Sequence, residues 1–401
     1  MPGVDSLRSF WRDLSLPAVT AGFVAVLVGF TSSVAIVFQA ARAVGANDAQ
    51  VASWMWALGL GMGLSSIVLS LRYKQPILTA WSTPGAALIA TSAAGTTLPE
   101  ATGAFLFCAL LIILFGYTGW FERLLSKIPV ALASALLAGV LVKFCLQAFG
   151  AIQTQPLLVL AMLITYLIAK RMVARYAVPL ALVVGLIMAW VLGLIVWPST
   201  SALNVASQIA QPVFVNPAFS WQAIIGIGLP LFIVTMASQN MPGVATLRAC
   251  GYNAPISPLI GATGVFSLIL APFGGYALNL AAITAAICMS DQADENPARR
   301  YTASVMAGIF YCIVGLVGGL VALVFAALPN ELVIAIAGLA LLGTVGNGLA
   351  TALKEETQRE AALITFLVTA SGLTMMSIGS AFWGLLAGLL ASVVLSYRPA
   401  D

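Results

Sequence analysis

The fold is decided by the stretch ILTAWSTPGAALIA at residues 77–90. Its first half has extended character, and Ser82-Thr83-Pro84 then predicts a helix start, with Thr83 as the cap and Pro84 at the first helical position. The apolar helix that follows ends by Ala94-Gly95, after roughly ten residues or about 15 Å. Because that length is about half a bilayer, the segment is predicted to be a half-helix and not a full span.

A second stretch, FGGYALNL at residues 273–280, has the same build in the other half of the chain. It precedes an apolar segment from Ala281 to Met289, and Asn279 is predicted to cap that second short helix. Two interrupted apolar segments in corresponding halves indicate a transporter binding site at the membrane midplane. Each helix N-terminus offers unpaired amide protons and partial positive charge, which favour an anion.

The composition excludes a soluble globule. Hydrophobic residues make up 61% of the chain and charged residues 7%, which predicts an all-α polytopic membrane protein. The apolar runs are continuous and do not alternate, so helices are favoured over a barrel. The chain has no histidine and its five cysteines are scattered through apolar runs. We therefore expect no enzyme, no metal site and no cofactor, and the dispersed net charge of +4 indicates membrane orientation and not nucleic-acid binding.

Fourteen transmembrane segments are predicted, with half-helices in segments 3 and 10. They lie near residues 17–41, 50–71, 76–94, 100–119, 128–148, 156–171, 177–196, 221–247, 255–272, 274–290, 301–327, 330–351, 360–377 and 379–396. The charge-free connection at 197–220 divides them seven and seven. Because seven is odd, the second repeat must be inverted relative to the first.

The basic residues set the predicted orientation. With the N-terminus inside, 15 of the 17 Lys and Arg residues fall in inner segments, which leaves Arg42 outside and Lys143 within a span. Both termini are therefore predicted to be cytoplasmic and the 197–220 linker periplasmic. The first apolar run lacks a signal-peptide pattern, so we expect it to be retained.

Polar residues interrupt the first and eighth spans. Gln239 and Asn240 precede Pro242, and this pairing of amides with a kink favours a wet cavity. Thr31, Ser32 and Ser33 either bond their own helix or face that cavity. Trp81 and Tyr276 flank the two predicted caps and either stack on an aromatic ring or simply pack.

No span centre carries a carboxylate, so the cavity should prefer an anion. Three routes for a coupled proton stay open. Lys143 either snorkels to the outer interface or titrates during the cycle. Otherwise the proton travels with the carboxylate, or on a span-end acid such as Glu100 or Glu331.

Four motifs resemble the benzoate:proton symporter family of bacterial inner-membrane proteins. They are LTAWSTPGAA at 78–87, VTMASQNMPG at 234–243, AAITAAIC at 281–288, and VTASGLT at 368–374 with GSAFWG at 379–384. The resemblance implies an inverted repeat similar to the uracil and sulfate/bicarbonate transporters. It further implies a core (transport) domain at 17–119 and 221–328, and a gate domain at 120–196 and 329–396 that can form a homodimer.

The implied function is uptake of benzoate or a similar small aromatic carboxylate by proton symport. The alternatives are a passive anion channel or exchanger, and transport of another small organic anion. The resemblance implies these substrate-binding residues: Thr31, Ser82, Thr83, Gly85, Ser238, Gln239, Asn240, Tyr276 and Asn279. Unlike uracil-type relatives, the eighth span has no acidic residue or histidine, so their proton-coupling scheme does not transfer.

Overall fold

The computed structural model describes residues 4–93, 95–119, 129–196, 209–376 and 380–396. Helices form nearly all of the secondary structure in these ranges. The helices of the first half are α1 (Val4–Asp13), α2 (Leu16–Ala43), α3 (Asp48–Tyr73), α4 (Thr83–Ser92), α5 (Leu98–Tyr117), α6 (Val130–Gly150), α7 (Pro156–Met172) and α8 (Ala177–Val191).

The helices of the second half follow the same order. They are α9 (Trp221–Arg248), α10 (Ile256–Leu270), α11 (Ile283–Met289), α12 (Tyr301–Leu316), α13 (Gly318–Ala327), α14 (Asn330–Ala352), α15 (Arg359–Ser371) and α16 (Ser380–Ser396). Strand β1 (Thr79–Trp81) precedes α4, and strand β2 (Leu278–Leu280) precedes α11.

Seven helices in the described ranges are long and apolar enough to cross a membrane, or eight if a bent pair counts as one. The chain is therefore a multi-pass membrane protein. The predicted single run 301–327 is wrong in one respect, because it forms two helices, α12 and α13, bent by 68°. The predicted runs 76–94 and 274–290 each hold a strand and a short helix, of 10 residues in α4 and 7 in α11.

The two halves pack reciprocally. Helix α3 packs along α12 while α10 packs along α5, and α2 contacts α11 while α9 contacts α4. In the two repeats α2 corresponds to α9, α3 to α10, α4 to α11 and α5 to α12. Each contact therefore recurs between the corresponding helices, as a two-fold relation between repeats requires. Glycines permit the closest approach: a Cβ on Gly59 would lie 2.5 Å from the Cα of Gly315, where α3 crosses α12.

The helices form two packing groups. The first contains α2 to α5 with α9 to α13, and the second contains α6 to α8 with α14 to α16. Within the second group α6 packs along α14, and α15 contacts both α6 and α16. A cavity described below lies between the two groups.

Strands β1 and β2 meet in the middle of the first group. They pair antiparallel, with Thr79 opposite Leu280 and Trp81 opposite Leu278. Their outward-facing amides are also satisfied, because Ser66 Oγ accepts from Thr79 N at 3.0 Å and Ser267 Oγ accepts from Leu278 N at 2.9 Å. Extended backbone is stable at this depth only when such groups are paired within the protein.

Candidate functional site

Helix α4 is capped by Ser82, one residue earlier than the sequence predicts. Ser82 Oγ accepts from Gly85 N at 3.1 Å, and the Thr235 hydroxyl donates to the same oxygen at 3.1 Å. Thr83 is therefore the first helical residue and Pro84 the second. The predicted Thr83 cap is wrong because the buried partner on α9 gives Ser82 a hydrogen bond that local sequence does not reveal.

This arrangement makes Thr83 the exposed donor at the start of α4. Pro84 has no amide proton, Gly85 N is bonded to Ser82 Oγ, and Ala86 N donates to Ser82 O at 2.8 Å. No partner within the described part of the chain is seen for the Thr83 amide or hydroxyl. The N-terminus of α4 therefore presents two donors and the positive end of the helix dipole.

Asn279 does not cap α11, which corrects the second predicted cap. It lies within β2 opposite Ala80, and α11 begins after Ala282 without a side-chain cap. With its amide oriented to satisfy both neighbours, Asn279 accepts from Ser82 N at 3.0 Å and donates to Leu280 O at 3.0 Å. The strand extends further than the sequence suggests, so this fully buried side chain joins the two strands.

The predicted bend in α9 takes the form of a wide π-turn at Met236–Asn240, before Pro242. Such turns are frequent at functional sites, because they rotate successive side chains away from a regular helical face. Here Ser238 and Gln239 point into a cavity. Asn240 is fully buried, and its Oδ1 accepts from Leu280 N at 3.0 Å, so it holds β2 in place.

We call the space between the packing groups the central cavity. It has two adjoining lobes of about 370 and 500 Å³, within the usual range for small-molecule sites. The residues that line both lobes are Val28, Ser32, Ser33, Thr83, Gln239, Ile283, Thr344 and Asn347. The smaller lobe adds Met62, Trp81, Leu137, Ser238, Thr284 and Tyr311, among others.

The central cavity combines apolar walls with uncharged hydrogen-bonding groups. Among the described residues that line it, none is an aspartate or glutamate, and the one basic residue, Lys170, lies in the larger lobe. The Trp81 indole is fixed by its Nε1, which donates to Ser33 Oγ at 2.8 Å, and its ring centroid lies 5.3 Å from that of Phe30. An aromatic wall therefore stands beside the donors of Thr83.

The structure divides the predicted site residues into three sets. Thr83, Ser238 and Gln239 line the cavity. Ser82, Gly85, Asn240 and Asn279 lie behind it: a Cβ on Gly85 would be 2.5 Å from Leu231 Cδ1, so this glycine allows α9 to pack close. These four are positioning residues and not wall residues.

Two predicted residues lie elsewhere. Tyr276 is fully buried, with its ring 5.8 Å from Trp54 and 6.1 Å from Phe105. The Thr31 hydroxyl donates to Leu27 O at 2.7 Å, on its own helix, and Thr31 is not a cavity residue. Ser32 and Ser33 combine the two predicted alternatives, facing the cavity and bonding their own helix. Both line the cavity, and their hydroxyls donate to Gly29 O at 3.0 and 2.9 Å.

Sequence reasoning missed the contribution of α14. Thr344 and Asn347 line both lobes from the second packing group, facing α4 across the cavity. Their signal was weak because polar residues in the glycine-rich segment LLGTVGNGLA resemble ordinary helix contacts. Across the described ranges, no group of three His, Cys, Asp or Glu side chains is arranged to hold a metal ion.

Comparison with known proteins decides the family. The family model described as benzoate membrane transport protein matches residues 12–394. The chain belongs to this family. Within it, the chain is 48% identical to inner membrane protein YdcO of Escherichia coli, over 95% of this chain and 96% of that protein. It is also 40% identical to a benzoate membrane transport protein of Acinetobacter baylyi, over 97% and 98% of the two chains.

Solved structures agree on the fold of this benzoate transport family member. The transmembrane domain of the cyanobacterial bicarbonate transporter BicA matches 94% of this chain and 97% of its own, with a TM-score of 0.57 and 16% identity. SLC26A9 matches 95% of this chain and 65% of its own, with a TM-score of 0.62 and 14% identity. The chain therefore has the inverted-repeat transporter fold, and its family is one of membrane transporters.

Proposed function

We propose that this protein takes up benzoate, or a closely similar small aromatic carboxylate, by proton symport across the bacterial inner membrane. The observation that carries the proposal is the central cavity. It sets the Thr83 end of α4 beside the Trp81 ring, and none of its described lining residues carries a carboxylate. The relative from Acinetobacter baylyi, described as a benzoate membrane transport protein, supports the choice of substrate.

In the proposed complex the carboxylate faces Thr83. Its amide, its hydroxyl and the α4 dipole stabilise negative charge, and a helix N-terminus favours an anion by about 0.3–1 kcal/mol, or about 2 kcal/mol when partly buried. Ser238, Gln239 and Asn347 supply further donors. The aromatic ring lies against Trp81, Met62 and Leu137, where apolar contact needs no polar partner.

The proposed architecture has fourteen segments, with β1–α4 as half-helix segment 3 and β2–α11 as segment 10. The first packing group is then the core domain, 17–119 and 221–328, and the second is the gate domain, 120–196 and 329–396. The matching element order and the cavity between the groups support this division. Residues 94, 120–128 and 377–379 of these ranges lie outside the described part of the chain. We further propose that the gate domain forms a homodimer.

The proposed orientation places a basic face in the cytoplasm, defined by Arg12, Lys74, Lys170 and Arg300. Arg12, Lys74 and Arg300 lie around the N-terminal ends of α2 and α12, where Lys74 Nζ and Asp13 both bond Tyr301, and Lys170 lies in the last turn of α7. Arg42 lies about 40 Å away, at the other end of the 28-residue α2. Both termini are then cytoplasmic and 197–220 is periplasmic, as charge asymmetry between short loops favours. The larger lobe reaches Lys170, so this conformation opens toward the cytoplasm.

A second function has one specific observation in its favour. In the part of the chain that the structure describes, no acidic side chain that could carry a proton through the cycle lines either lobe. A passive anion channel or exchanger needs no such group, whether for benzoate or for another small organic anion. In the symport proposal, the proton moves without a dedicated buried carboxylate.

Labelled benzoate uptake into proteoliposomes, with and without an imposed pH gradient, tests the proposal. We expect accumulation above equilibrium only when the outside is acidic, and Thr83→Asp, which sets a negative charge against the substrate, serves as the inactive control. Exchange that ignores the pH gradient would favour the passive alternative. Absence of any benzoate flux from correctly folded protein would refute the substrate assignment.

A further inference from the structure

A second cavity of about 390 Å³ lies at the opposite end of α2 from the basic face. We call it the Lys143 chamber, and it is lined by Gln39, Arg42, Ala43, Ala90, Thr91, Lys143, Phe144 and Gln147. These residues belong to α2, α4 and α6, the same three helices that contribute Ser32, Thr83 and Leu137 to the central cavity. The chamber therefore lies further along the same interface between the packing groups.

A buried apolar barrier separates the two spaces. Ile36 and Val37 on α2 and Ala87 and Leu88 on α4 have no exposed surface. These residues fall between the central-cavity and chamber residues of their helices. A solute entering from the chamber side therefore meets the chamber first and the barrier second.

The chamber walls carry positive charge. Of the lining residues that the structure describes, only Arg42 and Lys143 are ionisable, and none is acidic. Arg42 forms an ion pair with Asp48, whose side chain is 84% exposed at the rim, and donates to Ala46 O at 3.1 Å. Lys143 makes no ion pair with a carboxylate in the residues described, so one full positive charge is left uncompensated.

An unpartnered donor adds to this charge. Gln39 Nε2 is buried, and no hydrogen-bond acceptor for it is found among the residues that the structure describes. A buried donor left unbonded costs free energy, and the favourable remedy is an acceptor in the adjoining space. Ala43, Ala90 and Phe144 supply an apolar side to the same chamber. The chamber thus offers a cation, a free amide donor and an apolar wall.

The helix ends nearby do not use up these donors. Two carbonyls in the last two turns of α4 have partners: Thr91 Oγ1 donates to Ala87 O at 2.9 Å, and Ala93 N donates to Ile89 O at 3.1 Å. Lys143 Nζ lies against Gly372, where a Cβ would come within 2.6 Å of it, at the C-terminal end of α15. That position favours the ammonium group electrostatically but leaves it without a counter-ion.

We propose that the Lys143 chamber is an entry site that binds a small carboxylate before the interface between the packing groups opens. This inference rests on the proposed function for the identity of the substrate. The bound carboxylate accepts from Lys143 Nζ and Gln39 Nε2, and its apolar part lies on Phe144. Bringing the anion to the barrier raises its local concentration where the transport route begins.

Side-specific transport kinetics in proteoliposomes test the entry site. We expect Lys143→Met to raise KM about tenfold for benzoate entering from the chamber side, as loss of one charge-assisted hydrogen bond implies. KM from the basic face and the rate at saturating benzoate should stay unchanged, and Lys143→Arg should restore wild-type KM. Lys354→Met, an exposed lysine beyond α14, is the matched control. An equal change from both sides, or none from either, would overturn the inference.

A binding readout separates this inference from the proposed function. Gln147→Cys is made in a Cys250→Ser background, which removes the exposed native cysteine, and is reacted with an uncharged polymer-linked maleimide in zwitterionic vesicles. We expect benzoate and acetate to slow the reaction, and Lys143→Met to abolish that protection. Protection without benzoate transport would support the chamber as a carboxylate-binding site and would refute only benzoate as the transported substrate. Protection by added anionic lipid but by neither carboxylate would overturn the entry site.

Discussion

Asn240 Oδ1 accepts a hydrogen bond of 3.0 Å from the backbone nitrogen of Leu280, across 40 positions of the chain. The bond links the π-turn of α9, which contributes Ser238 and Gln239 to the wall of the central cavity, to β2 behind that wall. Because Asn240 has no exposed surface, it cannot exchange this bond for one with water.

Asn240→Ala should therefore destabilise the protein. Leaving the Leu280 amide unpaired in a buried site costs about 1–3 kcal/mol. We expect a lower midpoint of thermal unfolding in detergent, together with weaker benzoate binding as β2 loses its support. Ser238→Ala, two residues away on the cavity wall, should weaken binding with an unchanged midpoint. Equal midpoints for both variants would show that the bond has no structural role.

Substitutions at Ser82 and Thr83 should likewise differ, one affecting stability and the other affecting benzoate binding. Ser82→Ala removes the observed cap of α4 and should cost about 1 kcal/mol of stability, whereas Thr83→Ala removes only a free hydroxyl. Thr83→Ala should weaken benzoate affinity several-fold, in line with one neutral hydrogen bond, and leave the unfolding midpoint unchanged. Equilibrium binding of labelled benzoate and thermal unfolding measure the two effects. A reversed pattern would restore Thr83 as the cap.

Asn347 tests the contribution of α14 to the site. Asn347→Asp places a negative charge in the central cavity without changing side-chain size, so we expect loss of benzoate binding through repulsion of like charges. Asn330→Asp, at the exposed start of the same helix, is the matched control and should bind normally. If Asn347→Asp bound benzoate as the wild type does, the anion would have to lie away from α14.

Membrane orientation can be read from two introduced thiols in a Cys250→Ser background. Asn216→Cys, in the exposed segment before α9, should react with an impermeant reagent in intact spheroplasts. Glu355→Cys, in the exposed turn after α14, should react only after permeabilisation. Labelling in the opposite order would invert the proposed topology.

Proton coupling should survive the loss of any single candidate group. At saturating benzoate, we expect Lys143→Met, Glu100→Gln and Glu331→Gln each to retain benzoate-induced alkalinisation of the outside medium. The physical reason is that the proton has no dedicated carboxylate at a span centre, so it moves with the substrate. A variant that exchanges benzoate but moves no protons would identify its residue as the carrier and contradict this expectation.

Much of the fold could be predicted from hydropathy and from the residues that begin and end helices. The predicted run 17–41 is α2, Leu16–Ala43, because membrane thickness and the flanking polar residues determine where such a helix ends. The short α4 followed from Ser82-Thr83-Pro84 and the early glycine at 95. The break between α12 and α13 was missed, because hydropathy alone does not mark it and the glycines beside Val317, Gly318 and Gly319, were interpreted as helix contacts.

The site was harder to predict because its contacts are long-range. Asn279 and Thr83 both matched the local pattern of a helix cap. In the structure Asn279 instead accepts a hydrogen bond from Ser82 N, and Ser82, to which the Thr235 hydroxyl donates, caps α4 in place of Thr83. Thr344 and Asn347 reach the cavity only because α6 and α14 pack side by side. A single sequence carries no record of which distant segments meet.

The pairing of β1 with β2 also constrains how the chain is made. Thr79 and Leu280 are about 200 positions apart, so the first strand enters the membrane long before its partner has been synthesised. Unpaired backbone at that depth costs several kcal/mol for each group. The backbone groups of β1 therefore remain without their β2 partners until the second repeat has been inserted. Until then, serines of the first repeat and neighbouring helices must shield them from lipid. Neither repeat can complete its fold alone, and biogenesis ends with the closing of a six-residue sheet.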